Sequence, residues 1–519
     1  MNKYNYYIAI GIELLLLIIS TPSTAQEMSD ITPAALVKIK TDKMWLNTSN
    51  SAGDVYDEPQ KYSYVEAKYQ TYNGSFHRAQ QGKDGNSLQF VSEGNLILNK
   101  TRVWGFFSYN RDNINGTQFN SSIIDPYRGM PYYVADTVVS NWRNQHYKLG
   151  FRVGQPINPN LAVGIEGWYL ASTGAKQMDP RTLNNQMTLI LKPSVVFKFN
   201  IHNHLGANLE YYSLKEESNM SNVNSYVNQT YYKMYGLGTA IVGLGSGRTT
   251  NYVGNDVGGA LQYQYQGPVK ILLESNYNYK VEDVKITFDT PQKDASTRDK
   301  IWKGSAYILK EYKNYLNAFN FVYTCRHIDG IQYITQRDNS EAQQGWLTLY
   351  SCVRSKYDTD DILANYSLMK KRNDEFLWKV DASVQYKNEK DKYLLPYSYK
   401  SAENITYSIG GNINFKMSEK CTKRLLIGTK WSYNNNLSGG YKYNGPNADY
   451  PVVAQFETND LNYLITNYYC VNLSAVYSQR VKEVVKANVY AKAEFNYAKA
   501  NSFGFGHRST IDFSIGCNF

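Results

Sequence analysis

The chain has 519 residues and a formal net charge of +10, and its 48 tyrosines, 19 phenylalanines and 8 tryptophans coexist with a mean hydropathy of −0.51. That balance excludes a polytopic helical membrane protein, whose spans each need ~20 consecutive apolar residues. Apolar positions must instead be interleaved with polar ones.

The one long apolar run, Ile8 to Ile19, is too short to cross a bilayer as a helix. Lys3 precedes it and Ser23-Thr24-Ala25 follows, which predicts a signal peptide over 1–25 cleaved before Gln26, although Glu13 interrupts the apolar run. No cysteine lies near that site, which disfavours a lipid anchor. Residues 26–60 carry a weaker pattern and read either as a periplasmic N-terminal segment or as a small plug folded into a lumen. Residues 61–519 read as one unit.

Within that unit the hydrophobic period is two, not 3.6. Tyr147 to Val153, Val269 to Val281, Ile405 to Phe415 and Leu425 to Tyr433 all alternate. From Phe376 the residues Phe376, Trp378, Val380, Ala382, Val384 and Tyr386 alternate with polar ones, and only Leu377 breaks the second face. Val485 to Tyr497 alternates without interruption. The last strand places Ile511, Phe513, Ile515, Cys517 and Phe519 on one face and Thr510, Asp512, Ser514, Gly516 and Asn518 on the other.

Short polar connections, such as 154–160, 266–268, 371–374 and 418–422, alternate with long ones at 112–141, 217–256 and 434–460. That asymmetry predicts an all-β fold: a transmembrane antiparallel up-and-down β-barrel of about 16 to 18 strands, with short periplasmic turns and long extracellular loops. Residues 328–359 are ambiguous and shift the count by two. The expected location is the cell outer membrane, with lipid around the barrel. The strand ending at Phe519 resembles the signal read by the barrel assembly machinery. Trp104, Trp168, Trp378 and Trp431 read as an interfacial aromatic girdle.

Near the start, Trp45-Leu46-Asn47-Thr48-Ser49-Asn50-Ser51-Ala52-Gly53 is followed by Tyr64, Gly74-Ser75-Phe76, Gln81-Gly82 and Phe90-Val91-Ser92-Glu93-Gly94. This series resembles the opening of an uncharacterised outer-membrane β-barrel family of Bacteroidota, with Asp54 standing where an apolar residue is expected. The resemblance implies barrel and location, and brings no catalytic or ligand residues with it. No large plug domain and no energy-coupling box near Gln26 is evident, which disfavours a TonB-dependent receptor.

The sequence nominates no catalytic residue, no cofactor and no metal site. Its six histidines are scattered apart from His202 and His204, which lack a third ligand. The glycine-rich 242–248 lacks the Lys-Ser/Thr ending of a phosphate loop. Five cysteines show no metal spacing, and a Cys325–Cys352 bridge is left open. Nucleic acid is not an expected partner, since no recognised motif accompanies the basic charge.

Charge on the predicted lumen faces is more informative. The lumen-lining candidates are Lys148, Arg152, Lys270, Glu274, Lys280, Lys379, Asp381, Lys387, Lys430, Lys486, Lys492, Glu494 and Asp512. If the lumen is open, the basic surplus favours anions; the alternative is that these charges pair inside a filled barrel. The leading expectation is therefore a channel or uptake protein for small hydrophilic solutes. The alternative is a non-transporting scaffold that binds a surface lipoprotein or a larger nutrient receptor.

Overall fold

A strand with one apolar and one polar face can rest between lipid and water only if its backbone groups are paired on both edges, and in a membrane that requires a closed sheet. The computed structural model meets this condition. It describes residues 31–224, 226–227, 229–244, 248–287, 291–338, 345–418, 422–481 and 487–519; the expected signal peptide, Cys421, Lys486 and residues 245–247 of the glycine-rich 242–248 lie outside these.

The chain enters as helix α1 (Pro33–Asp42) and two short 3₁₀ turns, Trp45–Asn47 and Ser51–Val55. The first strands are β1 (Tyr62–Gly74), β2 (Asp84–Leu98), β3 (Thr101–Thr117), the short β4 (Tyr132–Ala135), β5 (Ser140–Asn158), β6 (Leu161–Lys176), β7 (Arg181–Lys198) and β8 (Asn203–Ser221). After β9 (Thr230–Tyr235) and β10 (Ala240–Leu244) come β11 (Arg248–Gln266), β12 (Lys270–Thr287), β13 (Gln292–Tyr312), β14 (Tyr315–Asp338), β15 (Gly345–Arg372) and β16 (Glu375–Leu394). The chain finishes with β17 (Tyr397–Lys416), β18 (Lys423–Lys442), helices α2 (Pro451–Ala454) and α3 (Phe456–Leu464), and β19 (Tyr468–Val481), β20 (Ala487–Ala500) and β21 (His507–Asn518).

Eighteen strands form one antiparallel ring, and β4, β9 and β10 make a separate three-stranded sheet. The ring closes where β1 pairs with both β2 and β21, with Ala67 opposite Phe90 on one side and Ile515 on the other. Ile511, Phe513 and Ile515 face outward while Asp512 and Ser514 are buried toward the lumen, as the alternation predicts. A closed barrel with this outward apolar face belongs in the outer membrane.

The strand count is the upper of the expected values, and the ambiguous 328–359 resolves into the hairpin of β14 (24 residues) and β15 (28 residues). Such strands far exceed the ~9–11 residues needed to cross a bilayer. The asymmetry of connections is real but uneven. One end carries two-residue turns at 99–100, 159–160, 313–314 and 373–374, tighter than the sequence suggested. The other end carries long loops at 118–139, 222–247 and 443–467, yet also the two-residue link 395–396, because the neighbouring strands themselves run on past the membrane.

Phe376 departs from its expected outward place. Lys370 faces Trp378 and Lys371 faces Phe376, so Leu377 is the extra residue of a β-bulge and the register flips across it. Phe376 turns inward, 1% exposed, against Ala34, Met44 and Trp45. The single break at Leu377 was the mark of that bulge. Cys325 and Cys352 are free thiols; Cys325 faces Asp360 and Cys352 faces Gln332, on different rungs of one hairpin.

Ile409 on β17 is 60% exposed on the outward face. Ile409→Arg is expected to destabilise the barrel by roughly 2–4 kcal/mol if it lies near the bilayer midplane. Urea unfolding from lipid vesicles measures this, and an unchanged midpoint would place Ile409 outside the lipid belt.

Candidate functional site

Residues 31–57 lie against the inner wall, and their local sequence explains the shape they take. Thr32 caps α1 by accepting the Ala35 N–H at 3.1 Å, with Pro33 in the first turn. Beyond α1 the chain doubles back around Trp45, which is 0% exposed. Its backbone N–H donates to Asp57 (3.1 Å) and its indole N–H to Gln264 on β11 (2.8 Å). Gly53 lies flat on that indole: a Cβ there would stand 2.0 Å from ring carbons. On the wall, a Cβ at Gly164 would meet the Ala52 nitrogen at 2.5 Å, so the bare backbone of β6 lets this turn approach.

Arg152 on β5 fastens the segment. Its guanidinium donates to both Asp54 carboxylate oxygens (2.9 and 3.0 Å), to the carbonyls of Trp45, Thr48 and Asn50, and to Glu166 on β6 (2.8 Å). Asp54, which departs from the expected apolar residue, is therefore the charge that matches Arg152. Asn50 adds bonds to the carbonyls of Val195 and Ala207 and to Gln262, and Ser49 donates its hydroxyl to Glu274 at 2.6 Å. Near the segment's end, burial pulls the Lys43 ammonium down and pushes the Asp57 carboxyl up, each toward its neutral form.

Above this segment three loops fold over the lumen. Phe119, Ala135, Tyr232, Met234, Ala240, Val452, Val453 and Phe456 form one apolar cluster drawn from all three. Ion pairs fix it to the wall and to the 75–83 loop: Arg78 with Asp460 (2.6 Å), Lys400 with Glu457 (2.8 Å) and Asp460 (3.0 Å), and Arg128 with Glu282 (2.9 Å). Burial alone would raise the Asp460 carboxyl, but Lys400 and Arg78 outweigh it and hold it down at about 2. Burial pushes its neighbour Glu457 upward.

Over the inner segment, against the wall, lies a cavity of 540 Å³. Leu46 to Ser49 form one side, and the wall supplies Glu93, Phe106, Lys148, Lys192, Glu274 and Lys303 among others. Trp104 and Trp168 also line it, which corrects their expected place in the girdle. Trp104 is 8% exposed and donates to Glu93 (3.1 Å), and Trp168 donates to Glu166 (2.8 Å). Both occupy even positions, on the same inward faces as Arg152's partner Glu166 and as Phe106. Trp431, 58% exposed, and Trp378, packed against Tyr315, stay on the outer face.

The nominated lumen residues within the described chain all stand on inward faces, but most are engaged. Lys280 pairs with Glu282, Lys379 with Asp381, Lys387 with Glu389 and Lys492 with Glu494, each at 2.7–2.9 Å and each two residues along one strand. Positions i and i+2 share a face of a strand, so these pairs are local and need no partner from across the lumen. Asp512 takes Lys68 at 2.8 Å, and Lys270 stands 3.8 Å from Glu58 of the inner segment. Lys430 borders a second cavity of 310 Å³ with Asp381 and Glu494. Lys148 lies over the rings of Trp168 (4.4 Å) and Phe106 (5.7 Å). His204 is buried against Tyr56, whereas His202 is exposed and contacts the Gln266 carbonyl, and no three-residue His/Cys/Asp/Glu cluster able to hold a metal occurs among the described residues.

Sequence reading missed Asp54, Trp104, Glu166, Lys192, Lys303, Lys400 and Asp460. For Trp104 and Glu166 the signal was present as alternation around 102–106 and 162–168. For Asp54 and Asp460, in irregular segments, no period exists to read.

Taken together, these features define an outer-membrane barrel whose lumen is occupied from below by its own N-terminal segment and from above by its own loops. The chain belongs to a family of unknown function, DUF6850, whose pattern matches residues 51–519. No curated protein matches it. Among solved structures it is similar to the ferric preacinetobactin receptor BauA of Acinetobacter baumannii, with 9% identity and a TM-score of 0.42 over 89% of this chain and 80% of that one. It is also similar to the outer-membrane transporter YddB of Escherichia coli (8%, 0.39, 88% and 80%) and to OpdK of Pseudomonas aeruginosa, solved with vanillate (8%, 0.36, 89% and 99%). At these values the likeness is one of barrel architecture alone.

Removing the Arg152 charge leaves Asp54 and Glu166 buried without their cation, so Arg152→Met is expected to loosen the inner segment by roughly 3–5 kcal/mol. Protease cleavage within 31–60 of the detergent-solubilised barrel reads this directly, and continued protection would show that other contacts hold the segment. For the cap, Asp460 sits below its ordinary 3.8. Its contribution is therefore full above about pH 4 and is lost as pH falls toward 2. Protease protection of 443–467 is expected to fall across that interval, and in Asp460→Asn to be weak already at neutral pH.

Proposed function

We propose that this protein is an uptake barrel for small hydrophilic solutes that rests in a closed state and opens by displacement of the inner segment and the loop cap. The observation that carries this reading is the polar, charged cavity of 540 Å³ lined by Leu46 to Ser49 and by inward side chains of the wall, in a lumen whose inner segment and loop cap are fastened to the wall by side-chain hydrogen bonds and ion pairs. A scaffold with no cargo gains nothing from a cavity, and filling it with apolar side chains would cost less than burying so many charges. The resemblance of 45–94 to barrels of Bacteroidota suggests that source.

A second reading, a scaffold for a surface lipoprotein or receptor, is favoured by a different observation. Ile334, Leu347, Leu349 and Tyr350 are exposed on β14 and β15, 20 or more residues from the inner-end turns 313–314 and 373–374. At ~3.3 Å per residue and a tilt of ~40° that height, roughly 50 Å, clears a ~25 Å lipid belt. Exposed apolar side chains in water mark a contact surface. Its test is copurification of a stoichiometric partner from native membranes, lost in Leu347→Lys/Tyr350→Lys.

For the uptake reading, planar-bilayer recordings of the intact mature chain are expected to show rare or small openings. Deletion of 31–57 is expected to give steps at least several-fold larger. A folded deletion variant as silent as the intact protein would overturn the reading.

A further inference from the structure

Another cavity, of 310 Å³, lies between the loop cap and the wall: Tyr133, Glu457 and Asp460 line it from the cap, and Tyr357, Asp391 and Lys400 from the wall. The wall residues form one row. Tyr357 on β15 stands directly opposite Asp391 on β16, and Asp391 directly opposite Lys400 on β17. Residues so paired share a face, with Cα atoms about 5 Å apart.

Five acids and four cations line this cavity, and every cation is spent. Arg78 is held by Asp460 (2.6 Å), Lys387 by Glu389 (2.7 Å), and Lys400 by Glu457 (2.8 Å) and Asp460 (3.0 Å). Arg326 is drawn to Asp299 (2.6 Å), which does not line the cavity. Of the remaining acids, Asp361 accepts the Gln385 amide (3.0 and 3.1 Å), whereas Asp391 has neither a hydrogen bond nor an ion pair among the described residues. The hydroxyls of Tyr133 and Tyr357 likewise have no hydrogen-bond partner among the described residues, and burial holds both in the neutral form. Three acceptors in one cavity thus lack a donor, and one of them carries a charge. A primary ammonium supplies three N–H donors and one positive charge, and the cost of a buried carboxylate is offset only by a cation. A saccharide would satisfy the hydroxyls and leave that charge unmatched. Pro126, Met130, Ile328 and Phe456 give the same cavity apolar surface for a carbon skeleton.

We propose that this cavity binds a small organic primary amine, its ammonium on Asp391 and within reach of the Tyr133 and Tyr357 hydroxyls, its apolar part against the cap. The inference names a class of solute that the uptake reading leaves open and rests on that reading for its biological sense, while its test does not depend on transport.

Equilibrium dialysis of the intact protein in detergent against labelled phenethylamine, 2-phenylethanol and glucose reads the site; the first two differ only in ammonium against hydroxyl. At pH 8 the amine is expected to bind at least tenfold more tightly than the alcohol, and glucose not to bind. Asp391→Asn is expected to weaken amine binding at least tenfold and Tyr357→Phe severalfold, with heat-modifiable gel migration verifying that each variant is folded. Asp391 lies near the outer end of β16, and burial pushes its carboxyl up to about 7. The charged and titratable groups around it are Tyr357 from β15, Glu389 on its own strand, Lys400 from β17, and Glu457 and Asp460 from α3. The amine keeps its charge between pH 6 and pH 8, so its affinity for the wild type is expected to fall about tenfold as Asp391 takes up a proton across that interval. Asp391→Asn is expected to remove that dependence, which separates Asp391 from Glu457. Equal binding of amine and alcohol, binding of glucose in place of the amine, pH-independent binding by the wild type, or full binding by the folded Asp391→Asn variant would overturn the proposal. Amine binding without conductance on deletion of 31–57 would count against uptake and leave this site standing; conductance without amine binding would do the reverse.

Discussion

Arg152 brings a charge that cannot be shed into the middle of the barrel, and the arrangement around it follows from having to satisfy that charge. A guanidinium has five N–H donors in a fixed plane. Here they meet two carboxylates and three carbonyls, and all but Glu166 come from residues 45–54. The inner segment is thus folded around a donor set presented by the wall, which helps so short a stretch hold a defined shape. Trp45 supplies the apolar weight, and Gly53 with Gly164 lets backbone come close enough for the donors to reach. Loss of the charge removes the reason for the shape.

The same economy governs the rest of the lumen. A strand's repeat of two sets a lysine beside an acid on one face two residues later, and four such pairs occur on β12, β16 and β20. Pairs of this kind neutralise the wall locally, so the lumen's field is weaker than a count of its lysines implies. Lys148 has no ion-pair partner among the described residues and lies instead over the rings of Phe106 and Trp168. Electrostatics here marks a place more than it fills a channel.

Much of the barrel was legible in the sequence because its physics is periodic. Alternation at 511–519 and 487–497 gave strand, face and closure together, and an isolated exception at Leu377 recorded a bulge. The lumen candidates stood on the right faces for the same reason. Where strands leave the lipid belt both faces meet water, and the pressure to alternate disappears; residues 328–359, the upper parts of β14 and β15, were ambiguous on that account. Girdle and lumen tryptophans look alike until register is known, so Trp104 and Trp168 were misplaced. The clasp of Asp54 and the latch of Asp460 depend on contacts across 98 and 382 residues of chain, to which no local pattern points.

Only residues 58–61 separate the inner segment from β1. A segment leashed so closely cannot diffuse away when it leaves its seat. With a short flexible tether, its effective concentration at that seat stays in the millimolar range. If the segment is displaced as proposed, its return is a first-order event that waits on no second molecule, and each opening would carry its own timer, set by how long four residues of slack keep the segment from finding Arg152 again.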